Sequence, residues 1–247
     1  MKINEIQVVV LAAGNLEESF NTSGFNSPKN LIEINKTPML AKIINNYLGL
    51  GFKELIVAIR KEEEIIYKTS KIITDFIDSP ETVKFVLVTD NDGPITTALL
   101  SADYIAPQKK LLFVSGDLLI TNSYLQEEFI RFDELDCGFF YSHSFEDRWS
   151  YVRLQDGYPL ELKPKGVISN TYAIGIYYFD NINIFLKCAE FVLINMRDTF
   201  NYLHFSNTIN AAKIFTRKIY GIGLDHTNFV HLASPGDLRK YLFNHSS

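Results

Sequence analysis

Cysteine is nearly absent. The 247 residues contain two, Cys137 and Cys188, and neither has a partner at metal-ligand spacing. Both lie in apolar runs, 137–141 and 185–189, where a small buried hydrophobe is the natural reading, so a disulfide-stapled or zinc-ligated fold is excluded. A chain of this length needs no such staple, since it can bury about three quarters of the surface that its unfolded form exposes. Long hydrophobic runs are missing too: none approaches the ~18 residues of a membrane span. The first residues, Met1 to Ile6, enter a strand pattern with no cleavage site, so the expectation is a cytoplasmic protein with no membrane partner. Basic residues are outnumbered, 24 Lys and Arg against 29 Asp and Glu for a net charge of −5. With no basic block, nucleic acid is excluded as a partner, because phosphate backbones are held by clustered cations. Acidity does not exclude a nucleoside triphosphate, for which Mg²⁺ and a few local cations supply the positive field. Internal repeats and low-complexity linkers are also lacking. The expected organisation is therefore one domain over 1–247, with a nucleotide-binding half at about 1–120 and an acceptor-binding half at about 121–247.

What is present is an alternation of strand and helix patterns. Ile6–Ala12, Lys53–Ile59, Val83–Thr89 and Lys110–Ser115 read as buried strands. Pro38–Leu50, Lys61–Ile77 and Pro94–Ile105 carry apolar residues at helical spacing, with proline in an acceptable first turn. This order predicts an α/β, Rossmann-like, mainly parallel sheet flanked by helices, with ligands beyond the carboxyl ends of the strands. After a helix near Asn122–Phe132, the runs Asp136–His143, Tyr151–Leu154, Leu160–Lys163 and Thr171–Phe179 are separated by turn signals such as Asp156-Gly157, which predicts an antiparallel extension. Asn181–Ile194 and Arg197–Ala212 read as helices, Ile214–Tyr220 as a strand and Pro235–Phe243 as a closing helix. The aromatic content of 13% leaves room for an apolar interface and so for a homo-oligomer.

The first strand ends in Leu11, Ala12, Ala13 and Gly14, small side chains beside which a planar base and a ribose can approach the backbone, with Gly14 permitting a φ that other residues resist. A polar loop, Asn15 to Ser27, follows and returns through Pro28 and Lys29. A lysine fixed behind a proline at the start of a strand can put its ammonium on a phosphate. On residue type alone it is equally a solvated loop cation. Similarly Asp117, at the end of the apolar run Leu112 to Gly116, is either a carboxylate aimed at a metal or a turn or capping residue.

Taken together, Leu11-Ala-Ala-Gly14, Gly24 to Ile32 with its Ser-Pro-Lys, and Asn35-Lys-Thr-Pro-Met39 resemble the sugar nucleotidyltransferases, GT-A-like pyrophosphorylases that join a nucleoside triphosphate to a phosphorylated acceptor. The resemblance implies nucleotide contacts from Leu11, Ala12, Ala13, Gly14 and Lys29. It also implies them from Gly93 and Thr96, where Gly93 to Ala98 opens a helix, and from Gly116. It implies Mg²⁺ on Asp117, and an acceptor site at Lys163, Asn170, Tyr172 and Gly175. Phe229 to Leu238 is similar to the family's closing segment, with His231 at a position where a second metal-binding Asp is common. His231 is either a metal or phosphate ligand or a satisfied structural residue. Asp225 is a weaker substitute, since its Gly-rich loop needs no function to explain it.

Besides His231, two departures accompany this likeness, and one motif favours a different class. The first loop has Ser19 where the family carries an Arg that clamps the triphosphate, and it contains Glu17 and Glu18 but no Lys or Arg. Leu162 stands where many members have a Glu for sugar hydroxyls, which points away from a standard hexose 1-phosphate. Asp90-Asn91-Asp92 has the form of a glycosyltransferase metal motif, although it precedes Pro94 and reads as a turn. The expected activity is Mg²⁺-dependent transfer from an NTP, CTP favoured, to a small phosphorylated acceptor with pyrophosphate release, as in surface-polysaccharide precursor synthesis. A nucleotide-binding member without turnover and a GT-A glycosyltransferase are the alternatives.

Overall fold

A computed structural model describes residues 2–14, 18–25, 27–89, 93–122, 125–196 and 202–245. In chain order the first half comprises β1 (Ile6–Ala12), α1 (Glu18–Thr22), β2 (Glu33–Ile34), β3 (Thr37–Pro38), α2 (Met39–Gly49), β4 (Leu55–Arg60), α3 (Lys61–Tyr67), α4 (Thr69–Thr74), β5 (Val83–Val88), α5 (Pro94–Leu100), β6 (Lys110–Ser115) and β7 (Leu118–Ile120). The second comprises α6 (Gln126–Ile130), β8 (Cys137–His143), β9 (Ser150–Gln155), β10 (Tyr158–Pro164), β11 (Thr171–Phe179), α7 (Ile182–Met196), α8 (Ser206–Phe215), β12 (Ile219–Gly223), β13 (Phe229–His231) and α9 (Pro235–Asn244).

A nine-stranded sheet runs through both halves in the order β10-β9-β11-β6-β1-β4-β5, with β8 paired to β11 and β12. Strands β6, β1, β4 and β5 are mutually parallel, while β11 joins β6 antiparallel and carries the rest of the second half. The predicted fold class, a parallel α/β sheet with an antiparallel extension, is the one observed. Successive side chains of β1 go to opposite faces, Val8 and Val10 into one buried apolar cluster and Val9 into the other, as the two-residue period of a strand requires. At the β9–β10 turn, Asp156 and Gly157 both have positive φ, 50° and 80°, which suits the two-residue hairpin that their sequence predicts.

Several elements differ from the expectation. The helix predicted over Lys61–Ile77 is broken at Lys68, which sits at φ 57°. Glu64 takes hydrogen bonds from the Ser70 amide at 2.7 Å and the Ser70 hydroxyl at 2.9 Å, and so holds the start of α4. Lys29 begins a 3₁₀ turn, Lys29–Leu31, instead of a strand. The helix predicted over Arg197–Ala212 starts at Ser206, and 197–201 lie outside the described residues. The strand predicted at Ile214–Tyr220 lies at Ile219–Gly223. The antiparallel pair β7 with β13 was not legible in advance; it ties the closing segment to the end of β6.

Two asparagines hold strand edges. Asn46 of α2 donates to the Ile120 carbonyl at 2.7 Å and accepts from the Ile120 amide at 2.8 Å. Asn210 of α8 does the same for Leu162, at 2.6 and 3.0 Å. A carboxamide carries both a donor and an acceptor, so each side chain acts as one rung of a missing neighbouring strand.

Candidate active site

The carboxyl ends of β1 and β6 lie side by side, with Leu11 in register with Ser115 and the Gly116 amide donating to the Leu11 carbonyl at 3.1 Å. A Cβ on Gly116 would come within 2.7 Å of the Ala12 Cβ. The small residues here thus serve first to let the two strand ends touch. Gly14 has an ordinary φ and open space around it, so the conformational freedom expected there is not used.

Beyond these ends opens a cavity of about 670 Å³. Its wall includes Leu11, Ala12, Gly14, Lys29, Asn30, Glu63, Gly93, Pro94, Thr97, Gly116, Asp117, Arg148, Trp149, Lys165, Gly175, Tyr177, His204, His231, Ala233 and Ser234. At its centre the Lys29 ammonium donates to Asp117 Oδ2 at 2.7 Å and to the Ala233 carbonyl at 3.3 Å. Burial works to raise the Asp117 carboxyl, but Lys29 and then His231 outweigh it and hold the group below the ordinary carboxylate range. Asp117 is therefore ionised at neutral pH. The Leu232 amide donates to the Asp117 carbonyl at 2.7 Å, which fixes the closing segment against it.

His231 is packed into an aromatic stack. Its ring centroid lies 4.3 Å from that of Trp149, its Nε2 is 3.3 Å from the Tyr172 hydroxyl, and Trp149 stacks in turn on Tyr172. Burial lowers its pKa to about 4 against the pull of Asp117 and Asp237, so the imidazole is neutral. The Arg148 guanidinium lies 4.2 Å over Trp149 and reaches Asp237 through two hydrogen bonds of 2.6 and 2.9 Å. Asp237 also closes a capping box with Ser234 at the start of α9. His204 likewise falls to about 4, by burial and then by the nearby Lys165.

Of the residues expected at the site, Leu11, Ala12, Gly14, Lys29, Gly93, Gly116, Asp117, Gly175 and His231 line the cavity. Ala13 faces the apolar core, and Thr96 is passed over for its neighbour Thr97. On the acceptor side Lys163 is exposed on β10 with its stem against Gly166, and Asn170 is exposed as well; Lys165 is the lysine at the cavity. Tyr172 backs Trp149. Leu162 is buried, 3% exposed, in the core beside Val152, so its side chain does not face the cavity. Asp225 caps a 3₁₀ turn through the Thr227 amide. Glu17 and Asp90-Asn91-Asp92 lie outside the described residues.

Sequence reasoning missed Asn30, Glu63, Arg148, Trp149 and Lys165. A signal existed for one of them: Trp149 is the single tryptophan of the chain, set in the polar stretch 146–150.

Among the described residues no three His, Cys, Asp or Glu side chains gather as a metal cluster. Mg²⁺ is commonly held by one or two carboxylates together with substrate phosphates and water, and Asp117 supplies one. The donor chemistry therefore fits an ion shared with a triphosphate. The His231 nitrogen is a softer donor than Mg²⁺ favours and is already engaged by Tyr172.

The profile of a family described as Nucleotidyl transferase matches residues 8–198. The chain belongs to the nucleotidyl transferase family. Solved structures agree with this nucleotidyl transferase in fold. A nucleoside-diphosphate-sugar pyrophosphorylase from Vibrio cholerae RC9 superposes with a TM-score of 0.82 at 13% identity, covering 96% of this chain and 99% of the other. A putative glucose-1-phosphate thymidylyltransferase from Bacillus anthracis gives 0.76 at 12% identity over 97% and 94%. The inositol-1-phosphate CTP transferase from T. maritima gives 0.74 at 14% identity over 98% and 94%. No curated protein matches the chain in sequence. In this nucleotidyl transferase no helix among the described residues is long and apolar enough to cross a membrane.

Proposed function

We propose that the protein transfers the nucleotidyl group of an NTP, CTP favoured, to a small phosphorylated acceptor and releases pyrophosphate. The observation that carries this reading is the Lys29–Asp117 pair at the carboxyl ends of β1 and β6, facing a cavity that also holds Lys165. An acceptor phosphate oxygen attacks the α-phosphorus in line, the bond to the bridging oxygen breaks, and pyrophosphate departs with that electron pair. The acceptor phosphate is already nucleophilic, so no general base is needed and catalysis is positioning and electrostatics. Lys29 neutralises charge on the triphosphate, Lys165 orients the acceptor phosphate, and Trp149 with its backing ring Tyr172 shapes the acceptor wall. Asp117 would hold Mg²⁺, which supplies charge neutralisation at the phosphates when bound. CTP is favoured because the chain is compact and smaller members of the family use CTP, an argument by analogy. Surface-polysaccharide precursor synthesis is the setting by the same analogy.

A second reading, nucleotide binding without turnover, is favoured by the absence of Lys and Arg from residues 15–27. Pyrophosphate release followed with each NTP, Mg²⁺ and a panel of phosphorylated acceptors separates the two. Acceptor-dependent release that falls at least about 10²-fold in Asp117→Ala is the expected result. Nucleotide binding with no release under any condition supports the second reading.

A further inference from the structure

The transfer chemistry leaves one buried acid at the cavity without a task. Glu63 stands three residues past β4, the parallel neighbour of β1, in the first turn of α3. It is 9% exposed and lines the cavity. Its Oε2 accepts from Asn30 Nδ2 at 2.9 Å, and the same amide donates to the Ala12 carbonyl at 3.0 Å. Asn30, itself 5% exposed, thereby fixes the carboxyl against the end of β1 and the turn that carries Lys29. No other hydrogen bond reaches that carboxyl among the described residues, so most of its acceptor capacity is unused.

Because the residue lines the cavity, a ligand group that donates to the carboxyl can take the place of water there. A phosphate cannot do so: it is itself an acceptor, and its charge would be repelled. Of the cations at the cavity, Lys29 is engaged by Asp117 and Arg148 by Asp237, and neither donates to this carboxyl. What fits beside Glu63 is the uncharged nucleoside portion of the nucleotide, and Gly14, just past the Ala12 carbonyl that Asn30 holds, has open space for a flat ring. We propose that Glu63 determines base specificity by accepting a hydrogen bond from an exocyclic amino group, so that the site takes cytosine and rejects uracil and thymine. Uracil and thymine present a carbonyl where cytosine presents that amine, and two acceptors would then face each other. Burial pushes the Glu63 carboxyl up, and Asn30 and then Arg60 oppose it in favour of the ionised, acceptor-only form.

This assignment rests on the nucleotide-transfer reading, and its test is kept separate from turnover. Titration calorimetry of the full chain with CTP, UTP and dCTP in the presence of Mg²⁺, without acceptor, measures binding directly. The expected result is CTP bound about 10²-fold more tightly than UTP. In Glu63→Gln, whose amide oxygen still accepts from Asn30, that ratio should fall to within about threefold. Glu62→Gln, at an exposed position paired with Arg60, should leave it unchanged. If Glu63→Gln fails to fold, Glu63→Asp, which withdraws the carboxyl by one methylene, should lower the ratio as well. An unchanged ratio in the folded variant, a wild-type preference for UTP, or an effect that follows the ribose 2′-hydroxyl in dCTP overturns the assignment while leaving the transfer reading standing. A wild-type protein that binds no nucleotide overturns both.

Discussion

Gly175 occupies an irregularity of β11, where the register with β8 shifts between Ala173 and Tyr177. Its φ is 95°, and an added Cβ would lie 2.6 Å from the Ser115 hydroxyl. Gly175→Ala is therefore expected to destabilise the protein by about 2–4 kcal/mol, from left-handed strain together with overpacking. Gly14→Ala, with open space and ordinary φ, should change stability by less than about 1 kcal/mol. Urea unfolding of the two variants checks the contrast. Both glycines were picked out from the sequence, but their difference was not legible there, because it depends on how closely β11 approaches β6. The same limit applies to Glu63 and Arg148. In sequence Glu63 belongs to the acidic run 62–64, which reads as a solvated helix face, and Arg148 to a charged loop. What buries Glu63 is the turn at Asn30, and what brings Arg148 to the cavity is Asp237, 89 residues away.

At the scale of elements, helices that cover the sheet also complete its edges. Asn210 of α8 supplies both hydrogen bonds that Leu162 of β10 would otherwise lack, and Asn46 of α2 does so for Ile120 of β7. Asn210→Ala is expected to cost about 1–3 kcal/mol, since it leaves a buried strand residue with an unpaired amide and carbonyl. Asn210→Asp should lose part of this as well, because a carboxylate cannot donate to the Leu162 carbonyl. Thermal melts of the two variants, read with hydrogen exchange at the Leu162 amide, test it. The central strands and most helices followed from periodicity. The break at Lys68 did not, because it is produced by Glu64 capping α4 through Ser70, a local competition that apolar spacing does not register.

For the whole molecule, the sheet order places strands of both halves in one hydrogen-bonded array, with β11 on β6 as the seam. We expect the chain to unfold in a single cooperative transition, seen as coincident melting of far-ultraviolet circular dichroism and Trp149 fluorescence. Acid should bring that transition on. His204 and His231 have native pKa values depressed to about 4 from an ordinary 6.5, so between those values the unfolded chain binds protons that the native state refuses. Stability then rises with pH through that window and falls as pH drops through it. Asp117, Asp180 and Asp237, all held low in the native state, extend the loss further down. Glu63, raised by burial, acts in the opposite direction and offsets part of it. A melting temperature lower at pH 4.5 than at pH 7 by about 5 °C or more is expected, and His204→Gln should flatten the slope between them.

By itself the sequence determined the fold class and the family likeness and picked out Lys29 and Asp117 as separate candidates, because strand periodicity, small residues at strand ends and short motifs are properties of neighbouring residues; that the two pair, 88 residues apart, is tertiary. Tertiary structure alone decided which lysine of the second half meets the cavity. Lys163 lies on the exposed side of an edge strand whose inward face is Leu162, while Lys165, past the strand's end, lines the cavity. It likewise decided that His231 is a neutral ring packed against Trp149 and that Glu63 is a buried acid at the cavity wall. These outcomes depend on contacts between segments far apart in the chain, which no local pattern encodes.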